Sequence, residues 1–479
     1  MLFNSLVFIA FFAAVYAAYL LLRRHYIFQN RMLLVASCVF YGYWDWRFIP
    51  LLIGITLVNF FAGGLIHRSP VSGRRKSILI LAVVANLIIL GFFKYFNFFA
   101  AGFADLLHLV GMTPGAVTLH IILPLGISFY TFQAMTYPLD IYRGRLAPTN
   151  DFFNFALFVA FFPQLLSGPI ERALNMLPQF GRPRHITPDR ANAGLYLLLS
   201  GFVKKVVIAD NVALIANTVF DGYTQFQGLD VIIGILAFAV QIYCDFSGYS
   251  DIARGLARLL GFELMVNFKL PYLATNPGDF WRRWHIALTS WFRDYLWWNL
   301  VKNTPFGGGA WVTMRWYFSL FFVFLVSGLW HGAAWNFIIW GAYHGLLLVL
   351  YAMYDRRWGK KGESPPHTTR AGTGLKIIGT FALVSVGWVI FRATSVEQII
   401  YMLTHIGLTS SDQTGTLAYK LLFFSLPLMA AHLWQSITRD LLAPLHARPW
   451  IQIPLYAAGI VAIFVLGLRQ SMEFIYFQF

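Results

Sequence analysis

The chemistry-bearing residues of this chain stand out because so little around them is polar. In "SGLWHGAAWNFIIWGAYHG" (327–345), His331 lies in a long, otherwise apolar run, between Gly328 and Gly332. Small neighbours of that kind let another helix or a ligand come close to the backbone. An imidazole exchanges protons near neutral pH, so His331 is fitted to take the proton of a hydroxyl, which is what acyl transfer to an alcohol needs. The plainer alternative is a histidine hydrogen-bonded to an adjacent helix, but an ionisable side chain at membrane depth is a functional candidate by default. His344 lies nearer the interface and is expected to be structural.

A second stretch, "FWRRWHIALTSWFRDYLWW" (280–298), places Trp281, Trp284, Leu288, Trp291 and Tyr295 at helical spacing. The spacing predicts one interfacial helix with its aromatics in lipid or core and Arg282, Arg283, Arg293 and Asp294 turned toward water or phosphate. His285 falls about 80° from the centre of the stripe, at the margin between the two faces. Membrane anchoring explains the tryptophans and arginines without needing His285, which makes that residue a candidate. In "YCDFSGYSDIARGLARLLGF", Asp245 and Asp251 flank a Ser-Gly pair. They could bind a cation or orient a catalytic group, but more often such residues satisfy the freed backbone of a helix break.

Other chemistries lack their residues. No G-x-S-x-G elbow, phosphate-binding G-x-x-x-x-G-K-[ST] loop or H-E-x-x-H pair is present. His331 and His344 match no zinc spacing and have no Cys or Glu beside them, so no metal is expected. Cys38 and Cys244 lie in separate apolar segments and fit small core residues, not a disulfide framework.

Elements that hold such residues must cross a membrane. The 479 residues are 58% hydrophobic and only 12% charged, with a mean hydropathy of +0.63. A soluble domain carries about twice that charge, and the apolar runs are of bilayer length. The alternation of a spanning β-barrel is absent. The net charge of +16 sits in short segments between apolar runs, such as "HRSPVSGRRK" and "DRRWGKKGE". That is the pattern that orients helices, and it calls for no nucleic acid.

The N-terminal "MLFNSLVFIAFFAAVYAAYLLLRRH" lacks a positive leader and a cleavage site, so it is expected to be an uncleaved span with its N-terminus outside. Crossings then follow at 32–44, 48–66, 77–96 and 121–139, further apolar runs at 193–209, 229–245, 312–330 and 333–353, and the last spans at 377–391, 417–437 and 452–468. Between 152 and 170, an apolar run broken by Pro163 and "SGP" suggests a re-entrant segment. The expectation is an all-α polytopic membrane protein of about eleven spans, one unit over 1–479. Its core motifs lie at 120–350, its last spans at 377–468 and an aromatic tail at 469–479 that emerges outside.

These stretches resemble the membrane-bound O-acyltransferase family. More narrowly, they are similar to its bacterial branch of alginate and peptidoglycan O-acetyltransferases and teichoic-acid D-alanyl transfer proteins. The resemblance is carried in order by "ILPLGISFYTFQAMTYPLDIYRG" (122–144), "FFPQLLSGPIERA" (161–173), "GFVKKVVIAD" (201–210), "DFSGYSDIARGL" (245–256), "NFKLPYLATNPGDFWRRWHIALTSWFRDYL" (267–296) and "GLWHGAAWNFIIWGAYHG" (328–345). It implies a ring of tilted helices around a central funnel in the bacterial inner membrane. The two signature histidines fall on His331, as catalytic residue, and His285, near the donor thioester. Trp330, Asn267, Asp294 and Arg282 would shape the site or bind the donor.

The resemblance leaves the donor open between acetyl-CoA and a carrier-protein thioester, with no bound cofactor, and the aromatic tail favours the acetyltransferase branch. No esterase-like domain is visible in the sequence, so an extracytoplasmic O-acetyltransferase partner is implied, with the polysaccharide met indirectly. In the tail "FIYFQF", the phenylalanines suit an interfacial belt or a dock in the outer funnel. Tyr476 could accept the acetyl group with His331 as base and pass it on. A transporter or export channel, or a scaffold for a separate transferase, are the competing classes; a transporter often shows two related halves, and none is visible here.

Overall fold

The computed structural model describes residues 1–112, 119, 121–301, 309–358, 369–468 and 472–475. Among them the chain is all helical, with one isolated bridge between Gly228 and Ile406. In order the helices are α1 (Leu6–Leu21), α2 (Tyr26–Asp45), α3 (Ile49–Arg68), α4 (Ser72–Leu109), α5 (Ile127–Tyr142), α6 (Phe152–Ala160), α7 (Ala173–Phe180) and α8 (Pro188–Phe202). A π-helical segment, Val203–Ala209, joins α8 to α9 (Asp210–Asp221), and α10 (Leu229–Leu259) follows. Then come α11 (Pro277–Arg283), α12 (Ile286–Trp291), a second π segment (Phe292–Trp297), α13 (Trp298–Val301), α14 (Ala310–His331) and α15 (Trp335–Trp358). The last are α16 (Arg370–Arg392), α17 (Val396–Thr404), α18 (Thr414–Thr438) and α19 (Pro449–Leu466).

Among the described residues, eight helical stretches are long and apolar enough to cross a membrane: 26–68, 72–109, 229–259, 311–331, 335–358, 370–392, 414–438 and 449–466. The first joins α2 to α3 through a single 3-10 turn. Helix α4 runs past the crossing expected at 77–96 and continues to Leu109. In the broken run 152–170, helix is confined to Phe152–Ala160, and the chain then turns through buried non-helical residues.

The chain divides into two compact units. One comprises Met1–Leu198 with Ile252–Met265. Its interior is rich in phenylalanine: Phe8, Phe11, Phe40 and Phe162 pack ring on ring. Some of its buried polar groups tie elements together. Asn59 and Asn86 exchange amide hydrogen bonds at 3.0 and 3.2 Å, tying α3 to α4, and Glu171 accepts the Met265 N–H. Side-chain amides of this kind bond helices together in lipid, where apolar contact alone offers little preference.

The other unit comprises Leu199–Asp251 and Val266–Phe479 and contains every residue proposed for chemistry. Helix α10 runs unbroken through Ser247 and Gly248, so Asp245 and Asp251 are not the supports of a helix break. They are counter-charges instead. Lys204 reaches Asp251 at 2.6 Å and Lys205 reaches Asp245 at 2.7 Å. Gly248 lets the two segments meet, because a β-carbon there would lie 2.8 Å from the Gly201 carbonyl oxygen.

Candidate active site

His285 is positioned by an interruption that helical spacing cannot show. The continuous helix expected over 280–298 does not form. Helix α11 stops at Arg283, Trp284 is extended, and His285 adopts φ 43° and ψ 53° before α12 begins. The left-handed conformation costs a residue with a β-carbon about 1–2 kcal/mol, so its surroundings must impose it. Asn267 does so. Its main-chain carbonyl accepts the Ile286 N–H at 3.0 Å, and its Oδ1 accepts the Ala287 N–H at 3.1 Å and lies 3.1 Å from His285 Nδ1.

That geometry also assigns the tautomer. An amide atom that receives a backbone N–H is oxygen, so His285 Nδ1 carries the proton and donates, and Nε2 is the basic nitrogen. His285 is 1% exposed, not marginal, and burial pushes its pKa down to about 3, which keeps it neutral. The stripe itself faces as its spacing requires. Trp281, Trp284, Leu288, Trp291 and Tyr295 are buried, while Arg282 and Arg293 are exposed.

His331 is the last residue of α14, and Gly332 leaves the helix in an extended conformation. Helices α14 and α15 form a hairpin whose backbones touch. A β-carbon on Gly328 would lie 2.2 Å from the Phe337 carbonyl oxygen, and one on Gly341 would lie 2.5 Å from that of Phe324. This contact packs the His331 ring against Trp330, Trp340 and Phe391, with centroids at 5.0, 4.9 and 5.3 Å. Asn336 fixes the far wall by donating to the carbonyls of Phe391 and Ala393.

Trp330, 3% exposed, also meets the His285 ring at 6.0 Å. The structure thus brings His285, His331, Trp330 and Asn267 into one buried cluster. Arg282 and Asp294 are engaged elsewhere, Arg282 with Asp279 at 3.6 Å and Asp294 with Arg293 at 2.9 Å. Tyr476 lies outside the described residues. His344, expected near the interface, is instead fully buried against Trp281 and Trp340. Among the described residues, no three His, Cys, Asp or Glu side chains group as metal ligands.

Sequence reasoning passed over Lys204, Lys205 and Asp210. The signal was present: two adjacent lysines in the apolar "GFVKKVVIAD" must find counter-charges.

The chain is similar to known membrane acyltransferases. A profile of the membrane-bound O-acyltransferase family matches residues 144–362, which contain both histidines. A probable alginate O-acetylase of Pseudomonas aeruginosa is 42% identical over 83% of this chain and 73% of its own length. The peptidoglycan O-acetyltransferase of Helicobacter pylori is 36% identical over 84% of this chain and 79% of its own. A teichoic acid D-alanyltransferase of Bacillus subtilis is 31% identical over 56% of this chain and 68% of its own.

Proposed function

The chain belongs to the membrane-bound O-acyltransferase family and is an O-acyltransferase of the membrane, and from this we propose that it relays acetyl groups from cytoplasmic acetyl-CoA to a polysaccharide outside the inner membrane. The observation that carries the reading is the pair of buried imidazoles on one indole, His285 and His331 around Trp330. Acetyl-CoA is favoured over a carrier-protein thioester because the relatives covering most of this chain bear acetyl-transfer names.

In this mechanism His331 takes the proton of an acceptor hydroxyl as its oxygen attacks the thioester carbonyl. The carbon–sulfur bond then breaks, and the thiolate leaves with the proton returned by the imidazolium. His285, held neutral by burial, presents Nε2 on the donor side, and Asn267 keeps that nitrogen the unprotonated one. Arg282, exposed and outside this cluster, is placed to meet the phosphates of the donor on its approach. The first acceptor is the Tyr476 phenol. Its ester then passes the acetyl group to an extracytoplasmic partner protein, with both termini on that side.

Reconstituted protein supplied with labelled acetyl-CoA, partner and polymer tests the scheme. His331→Ala should lower label transfer by about a hundredfold or more, the scale of a lost general base. Tyr476→Phe should abolish acetylation of the polymer. Undiminished transfer in the first variant removes His331 from the chemistry, and normal polymer acetylation in the second removes the tyrosyl ester.

A further inference from the structure

Helix α19 ends at Leu466, and residues 472–475 follow as a short described stretch whose contacts are made largely through peptide groups. Three of its neighbours are charged and buried. Lys205, on the π segment, points its ammonium at Asp210 Oδ1 at 2.8 Å and Asp245 Oδ1 at 2.7 Å, and donates to the Met472 carbonyl at 3.0 Å. The second oxygen of Asp245, Oδ2, accepts the Ile475 N–H at 2.7 Å. The ammonium thus pairs with two carboxylates while bonding a main-chain carbonyl, and Asp245 faces the ammonium with one oxygen and a peptide N–H with the other.

Side chains complete the grip. Phe474 and Ile475 are 2% and 3% exposed. The Phe474 ring stacks on Tyr249 at 4.8 Å and meets Phe246 at 5.9 Å, and Phe246 in turn meets the edge of His285 at 4.6 Å. Upstream, Asn211 donates to the Leu466 carbonyl, which fastens the end of α19 to the same segment.

A buried ion cluster is a weak source of stability, because desolvation offsets most of its attraction; fixing one arrangement is the better-attested use. We propose that Lys205, Asp210 and Asp245 form a main-chain clamp that sets the register of the C-terminal segment, and that Lys205 and Asp245 are positioning residues for acyl transfer. The clamp holds residues 472 and 475, immediately before Tyr476 in sequence. A π-helical turn suits this task, since it turns side chains out of α-helical register and is frequent at functional sites. The consequence for transfer rests on the tyrosyl-ester reading above; the clamp itself does not.

Hydrogen exchange on the full-length protein tests it, using the variant Lys205→Met with Asp210→Leu and Asp245→Leu. Replacing a buried ion triad by apolar side chains of similar volume is often neutral for folding. The Phe474 and Ile475 amides should exchange at least about tenfold faster while amides within α10 keep their protection. Acetyl transfer to polymer should fall by about tenfold or more, with the KM for acetyl-CoA unchanged.

Ile475→Pro removes the backbone N–H that Asp245 accepts and should release Phe474 in the same way, which decides the matter if the triple variant does not fold. Unchanged exchange at residue 474 in either folded variant overturns the clamp. A Tyr476→Phe variant that keeps tail protection yet acetylates polymer normally would overturn the ester and leave the clamp standing.

Discussion

At His285, three contacts to Asn267 hold a backbone conformation that the chain would otherwise avoid. Asn267→Ala removes the acceptor for two of them. Each is a buried hydrogen bond whose loss costs about 1–3 kcal/mol, so initial rates of acetyl transfer should fall at least tenfold or so. Asn267→Asp keeps the geometry but places a carboxylate beside Nδ1, which favours the imidazolium. The His285 pKa, now about 3, would rise, so activity should fall as pH drops across roughly pH 8 to 5, where the parent enzyme's His285 stays neutral. Rates measured across that range check the sign. At this scale the sequence marked both histidines, one by its apolar setting and one because anchoring did not need it. The tautomer and strain stayed hidden because they depend on Asn267, eighteen positions away.

Among the elements, the α14–α15 hairpin sets where His331 can be. Gly328→Leu drives a side chain into the Phe337 carbonyl, an overpacking that typically costs about 1–3 kcal/mol. Thermal stability in detergent should drop and transfer should fall with it. Gly374, on α16, has open space around its missing β-carbon, so Gly374→Ala should be neutral or stabilising by up to about 1 kcal/mol. Element type was legible throughout from apolar length. Element continuity was not. The aromatic stripe of 280–298 kept the correct facing across a break, because a short left-handed excursion and a π turn leave which residues are buried unchanged. Likewise Asp245 and Asp251 pointed to a helix break, whereas the ion pairs with Lys204 and Lys205 leave α10 continuous.

For the molecule as a whole, charge placement orients the helices before any packing is known. In the proposed topology, with the side of the 355–376 linker cytoplasmic, α16, α18 and α19 would put Asp412 and Glu473 outside and Arg448 inside. In a background of Cys38→Ser, a membrane-impermeant maleimide should label Asp412→Cys and Glu473→Cys in intact cells, and Arg448→Cys only after permeabilisation. Reversed labelling would invert the proposed direction of acetyl flow. The polytopic class followed from hydropathy because bilayer length is a one-dimensional constraint. The pairing of charges across the fold did not, because it is three-dimensional: Lys205 and Met472 are 267 positions apart.

A grip on peptide groups counts residues and does not inspect them. Met472 and Ile475 are held by a carbonyl and an N–H that almost any residue would supply. Spacing is therefore under tighter constraint than composition, and Lys205 with Asp245 acts as the zero mark of a ruler. One glycine inserted between Ile475 and Tyr476 would leave every contact at the clamp in place and carry the phenol up to about 3.5 Å along the chain. Such a shift exceeds hydrogen-bond reach, so under the tyrosyl-ester proposal the insertion should stop acetyl transfer while leaving the protection of residues 474 and 475 intact.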